Sequence, residues 1–385
     1  MTDFSPAVIV ERKNFDALFN ALKQMGYHII GPTLQSGAIV YDTMLDLGDL
    51  PVGWREAQEK GTYRLVKRND LSIFGFNSTP QSWKRFLHPP TQLLWQSKKR
   101  ATNVTIAENV WKAEKLAFLG VRACDLKAIE ILKKVLIDSP YTDTNFKKRS
   151  ANVFIVAVNC SQAGGTCFCA SMKSGPKVQQ EYDLVLTEVV EKDRHYFAIE
   201  IGTKRGAEIV KIIPHRDAKI EEMENAEHII ENTITQMGRE VDIANLKQLL
   251  YNNSEHKRWN DTAKRCLTCA NCTMVCPTCF CTTIEDVTDL TGQQAERKRK
   301  WDSCFTLDFS YIHGGSIRPS VYSRYRQWLT HKFASWQDQF GTSGCVGCGR
   351  CITWCPVGID VTEEITAIRA IDNTQQSNIL TKEKQ

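Results

Sequence analysis

Fifteen cysteines carry the chemistry of this 385-residue sequence, and their spacing says which chemistry it is. Cys266-x2-Cys269-x2-Cys272-x3-Cys276-Pro277 and Cys345-x2-Cys348-x2-Cys351-x3-Cys355-Pro356 are one run written twice. It is the bacterial ferredoxin pattern: three thiolates on a tight loop hold three corners of a [4Fe–4S] cubane, and the fourth ligates the other cluster of the pair. Cys266, Cys269, Cys272 and Cys355 are therefore assigned to one cluster, and Cys345, Cys348, Cys351 and Cys276 to a second. The proline after each run ends its loop, because it cannot extend the local hydrogen bonding. Zinc knuckles would instead use two separate CxxC pairs.

Four more cysteines sit where strands are expected to end. Arg122-Ala123-Cys124-Asp125 follows one apolar run, and Asn159-Cys160 and then Cys167-Phe168-Cys169 follow another. Open α/β sheets place their sites in the loops at the carboxyl ends of strands. Four thiols converging there would hold a third [4Fe–4S] cluster, with Asp125 replacing a ligand or accepting hydrogen bonds. Cys-x35-Cys-x6-Cys-x-Cys matches no general ligand rule, and the alternative is four buried packing thiols. Gly164-Gly165 lacks the rest of a phosphate-loop signature. The remaining thiols, Cys279, Cys281 and Cys304, either line a cluster pocket and tune it or pack as small apolar groups. A Cys279–Cys281 disulfide would be strained by its single intervening residue.

The elements that position these residues change character along the chain. Leu116 to Val121 and Val153 to Val158 read as buried strands, and Asp125 to Leu136 as the helix after the first. This is α/β patterning. Beyond it, Ile220, Met223, Ile229, Ile230, Ile234 and Met237 recur on one side of a helical connector. Sixty-eight residues separate Cys276 from Cys345. They read as helix, with Pro319 near a first turn and Val321, Tyr325, Trp328, Leu329, Phe333 and Trp336 as an apolar stripe whose default role is core packing. The expected class is α+β multidomain. An α/β domain spans 1–212 with the possible third cluster site, a helical connector 213–254, an all-helical two-cluster ferredoxin-like domain 255–372, and a disordered tail 373–385.

Composition excludes several functions. Net charge is +5, with 42% hydrophobic and 24% charged residues, an ordinary globular chain. Lys98-Lys99-Arg100 and Arg297-Lys298-Arg299-Lys300 lack nucleic-acid motifs around them and read as solvated faces, or else as docking sites for an acidic partner. No apolar run approaches the ~20 residues of a membrane span. No cationic-then-apolar leader opens the sequence. Closely spaced cysteines, odd in number, fit metal coordination in a reducing compartment, so the expected location is cytoplasmic. No Ser/His/Asp or HExxH constellation is present. The role expected is outer-sphere electron transfer.

Taken together, Arg122-Ala123-Cys124-Asp125, Cys167-Phe168-Cys169, the CPTCFC stretch ending at Cys281, Arg299 to Cys304 and CVGCGRCITWCP from Cys345 resemble a family. It is the iron–sulfur β subunit of soluble NAD(P)-linked [NiFe] hydrogenases of the sulfhydrogenase type, a pattern shared with the iron–sulfur subunit of anaerobic sulfite reductase. The resemblance runs from about Leu116 to Val361, and residues 1–110 contribute little to it. It implies an electron relay between a flavin subunit that binds NAD(P) and a catalytic subunit, which is either a [NiFe] hydrogenase or a sirohaem sulfite reductase. By position, Cys124, Cys160, Cys167 and Cys169 match the family's N-terminal cysteines, which implies the third cluster. The chain is then an electron-transfer subunit rather than the catalytic one, a heterodisulfide-reductase-like enzyme being the less favoured alternative. The terminal reaction, the direction of electron flow and the choice of NADH or NADPH rest with the partner chains.

Overall fold

The computed structural model describes residues 7–108 and 114–370, so the expected tail lies outside the described residues. In chain order the strands are β1 (Ala7–Glu11), β2 (His28–Gln35), β3 (Ala38–Thr43), β4 (Trp54–Glu59), β5 (Thr62–Lys67), β6 (Thr91–Arg100) and β7 (Asn103–Glu108). They continue with β8 (Leu116–Arg122), β9 (Val153–Val158), β10 (Leu184–Val190), β11 (His195–Ile201), β12 (Arg216–Asp217), β13 (Thr282–Thr288) and β14 (Gln294–Trp301).

Eight of these form one mixed sheet in the order β12-β1-β11-β10-β9-β8-β2-β3. Four consecutive strands of it, β10, β9, β8 and β2, run parallel. All seven residues of β8 are buried, as expected of a parallel strand covered on both faces. The two apolar runs read from the sequence are thus adjacent strands. The helix Ala123–Leu136 starts directly from the end of β8 and buries Leu126, Ile129 and Leu132. In the connector, the helix Ile220–Thr235 packs Met223 and Ala226 against the sheet and buries Ile230, while Ile220 and Ile234 are exposed. Its apolar stripe is narrower than the pattern suggested.

The mixed α+β class holds, but the cysteine-rich region is not all-helical. Strands β13 and β14 form a hairpin that pairs with β6 and β7 in a second sheet, β13-β14-β6-β7. The partner strand β6 lies nearly 200 residues upstream, so no local periodicity could announce it. The basic run Arg297 to Lys300 lies on β14, where Arg297 pairs with Asp286 at 2.6 Å and Lys300 with Glu285 at 2.5 Å. Arg299 points inward, to Asp143 at 2.5 Å and Gln92 at 2.7 Å. Helix resumes at Val321–Thr330, where the Ser320 hydroxyl caps the Ser323 N–H, and Tyr325, Trp328, Leu329 and Phe333 enter a core with Trp259 and Ile352.

Residues 54–79, unmatched by any motif, pack against the second cysteine run. The Gly61 N–H donates to the Ile352 carbonyl at 3.1 Å, and the Tyr63 ring lies 5.2 Å from that of Trp354. The Arg350 Nε donates to the Thr79 carbonyl at 2.9 Å.

Candidate metal centres

The two cysteine runs fold into matching loops. At the second residue after the first cysteine, Thr268 has φ +51° and Gly347 φ +62°; at the fourth, Ala270 has φ +65° and Gly349 φ +72°. These left-handed turns curl each loop so that backbone N–H groups face sulfur. Thr268 N–H donates to Cys266 Sγ and Gly347 N–H to Cys345 Sγ, both at 3.4 Å. Ile359 N–H donates to Cys355 Sγ at 3.3 Å.

The fourth cysteines cross over. Cys266, Cys269, Cys272 and Cys355 line one cavity, walled by Phe305, Tyr325 and Trp328. Cys276 joins the other loop: burial pushes the Cys351 thiol well up, and the neighbouring Cys345, Cys348 and Cys276 push it further. Cys351 also reaches the first cavity, so the two groups are contiguous.

A buried lysine addresses the second group. Lys332 Nζ donates to Cys276 Sγ at 3.2 Å, to Thr278 Oγ1 at 3.1 Å and to the Gly344 carbonyl at 3.0 Å. It sits on a π-helical turn, His331–Ser335, inserted between two α-helical stretches. Such turns add one residue per turn and frequently mark functional sites. A hydrogen bond from the Cys279 thiol, with the Lys332 charge and Thr278, holds Cys276 well below the usual thiol range. The sequence offered one signal for Lys332, a cation inside an aromatic stripe.

The structure also brings together the four cysteines at the sheet edge. Cys124, Cys160, Cys167 and Cys169 line a cavity at the carboxyl ends of β8 and β9, with Arg122, Pro176 and Met237 in its wall. Burial pushes Cys167 up to about 12 and Cys124 and Cys169 well above the usual thiol range. Arg122 is buried and donates to the carbonyls of Phe74 at 2.7 Å and Phe76 at 2.6 Å. It makes no ion pair among the described residues, and its Nε has no partner among them. A buried cation without an anion costs several kcal/mol.

Asp125 is neither a ligand nor free. Its carboxylate receives both terminal nitrogens of Arg350, at 2.8 and 2.9 Å, in a fully buried pair. Because Arg350 lies between Cys348 and Cys351, this pair ties the sheet edge to the second loop. Backbone contact completes the join: Phe168 N–H donates to the Gly347 carbonyl at 2.8 Å, and the Ser174 hydroxyl to the Val346 carbonyl at 2.6 Å. A Cβ on Gly347 would stand 2.6 Å from the Phe168 oxygen, and one on Gly349 2.3 Å from that of Thr166. Glycine is required there twice, for the positive φ and for the close approach.

The donor sets fit four-iron clusters. All fifteen cysteines are free thiols. Among the described residues no three His, Cys, Asp or Glu side chains close on one point as a single ion demands. A cubane keeps its thiolates apart because the cage lies between them, and thiols grouped around one cavity suit it. No helix is long and apolar enough to cross a membrane among the described residues.

Comparison with known proteins agrees with this chemistry. Residues 265–359 match the 4Fe–4S dicluster domain family. The chain is 26% identical over 362 residues to sulfhydrogenase 2 subunit beta of Pyrococcus furiosus, covering 92% of this chain and 96% of that protein. The similarity therefore reaches well into the first 110 residues, beyond the stretch where motifs could be matched. This is an iron–sulfur chain that carries a 4Fe–4S dicluster domain and is similar, over nearly its whole length, to a sulfhydrogenase beta subunit.

Proposed function

We propose that this chain is the electron-transfer subunit of a soluble hydrogenase complex, relaying electrons between a flavin subunit that binds NAD(P) and a [NiFe] catalytic subunit. We further propose three [4Fe–4S] clusters: one on Cys266, Cys269, Cys272 and Cys355, one on Cys345, Cys348, Cys351 and Cys276, and one on Cys124, Cys160, Cys167 and Cys169. The observation that carries the reading is contiguity, since the three groups adjoin in that order, from exposed Cys269 through Cys351 to the buried sheet edge.

When bound, such clusters exchange single electrons at potentials set by burial and by hydrogen bonds to sulfur. The chain's own residues set those terms. Phe305, Tyr325 and Trp328 keep water from the first group, Lys332 places a positive charge on Cys276, and Arg122 places another beside the third. Positive charge favours the more negative, reduced form, so both cations raise the local potential. Exposed Leu267 and Cys269 give the first group a face for a partner.

The reading is tested on the assembled complex, purified without oxygen, with Cys167→Ser in this chain. Hydrogen-dependent reduction of a viologen dye, which draws electrons near the catalytic subunit, is expected to persist, while hydrogen-dependent reduction of NAD(P) falls at least tenfold. NAD(P) reduction at the parent rate would exclude the third group from the path.

A further inference from the structure

Three cysteines outside the relay also share a cavity. Cys279 and Cys281 leave the first cysteine run and enter β13, and the hairpin returns through β14 to deliver Cys304. Thr282 pairs with Trp301, and the Asp302 N–H closes on the Cys281 carbonyl at 2.9 Å, so strand register brings Cys304 back to Cys281. The three thiols line one cavity walled by Trp328, Trp336 and Lys332, as the Cys124 group lines another. The β13–β14 hairpin is the device that assembles it.

Two buried lysines flank these thiols. Lys332 reaches Cys276 and lines the cavity, and Lys84 donates to the Cys279 carbonyl at 2.8 Å with its ammonium 3.8 Å from the centre of the Trp301 ring. Both are nearly fully buried, and neither has a carboxylate partner among the described residues. Lys332 already has the Cys276 thiolate of the second group beside it, but Lys84 faces only a carbonyl and a ring, and neutral packing thiols would leave its charge uncompensated, at a cost of several kcal/mol. Thiolates around an iron–sulfur core compensate it, as at the dicluster loops. His331 is not available as a fourth ligand: Nδ1 receives the Trp336 indole N–H at 3.3 Å and Nε2 bonds Gln339 at 3.1 Å.

We propose that Cys279, Cys281 and Cys304 bind a further [4Fe–4S] cluster through three thiolates, with one iron left without a cysteine ligand. Transfer of a preformed cluster from a thiolate-bearing donor breaks three donor Fe–S bonds and forms three to Cys279, Cys281 and Cys304; the three cysteine protons leave on the released donor thiols, and Cys279 gives up its hydrogen bond to Cys276. The site does not depend on the sheet-edge cysteines, so the two can fail separately.

The test is iron and acid-labile sulfide per chain, on full-length protein purified without oxygen, for the parent, Cys281→Ala/Cys304→Ala and Cys124→Ser/Cys167→Ser. Loss of about four iron and four sulfide in the Cys281/Cys304 variant, additive with any loss in the Cys124/Cys167 variant, is the expected result. Unchanged iron in the Cys281/Cys304 variant would overturn the proposal whatever the other variant shows. So would a proportional loss of every EPR signal, which reports general unfolding. Should that variant not accumulate, Mössbauer spectra of the 57Fe-enriched parent decide: an iron site without thiolate ligation supports the cluster, and uniformly thiolate-ligated iron excludes it.

Discussion

The two cysteine loops have the same spacing and the same left-handed turns, yet one makes them with Thr268 and Ala270 and the other with Gly347 and Gly349. A left-handed L-residue costs roughly 1–2 kcal/mol, so on conformational grounds alone the first loop would do better with glycine, as the second does. The difference lies in what each loop faces. Around Leu267 and Cys269 the first loop meets solvent, where a Cβ has room. The second is pressed backbone to backbone on residues 166–169. One motif thus serves as a terminus and its copy as a junction.

The strongest break in that junction is Arg350→Met, which leaves Asp125 buried and unpaired. We expect a loss of ~3–5 kcal/mol in denaturant unfolding, largely restored when Asp125→Leu is added. Restoration distinguishes an uncompensated charge from a general packing defect. Next is Gly349→Ala, which combines the positive φ with contact on the Thr166 carbonyl. It is expected to cost ~2–4 kcal/mol by the same measurement and to lower occupancy of the Cys345 group before that of the Cys266 group.

Glu56 tests the same surface through pH. Burial raises its carboxyl from 4.5 to about 7, although the Asn77 N–H, at 2.8 Å, works against the shift. The folded state therefore holds the proton more tightly than the unfolded chain. Its contribution is complete below pH 4.5 and is lost as pH rises through 7, by at most ~3 kcal/mol. Glu56→Gln should flatten that decline between pH 4.5 and 7, which thermal melts at matched ionic strength would detect.

Lys332→Met removes the charge and hydrogen bond on Cys276. We expect the potential of that group to fall by roughly 60 mV, the one-electron equivalent of about 1.4 kcal/mol, read by EPR-monitored titration. Smallest is Ala270→Gly, where relief of the left-handed strain and the greater freedom of the unfolded chain nearly cancel. A change within about 1 kcal/mol is expected, against the large loss at its counterpart Gly349.

What was legible in the sequence follows from the same contrast. The dicluster loops could be read because their ligands lie within a dozen residues and cubane geometry dictates their spacing. Strands β8 and β9 and the helix after β8 were legible because parallel strands bury both faces and read as unbroken apolar runs. The Cys124, Cys160, Cys167 and Cys169 group was legible only as an expectation, since its spacing has no rule and its convergence depends on two strands lying side by side. The β13–β14 hairpin and Lys332 were not legible. The hairpin takes its partner from β6, far upstream, and Lys332 reads as one polar break in an apolar stripe until the π turn aims it at sulfur.

The central claim is that the sheet edge is a metal centre joined to the second loop, not a scaffold with buried thiols. Iron and acid-labile sulfide in Cys167→Ser against the parent, both purified without oxygen, test it most directly. A deficit of about four iron per chain, with the dicluster EPR signals intact, is the predicted result. Equal iron in the two proteins would contradict it and leave the first domain as a docking scaffold for the dicluster domain.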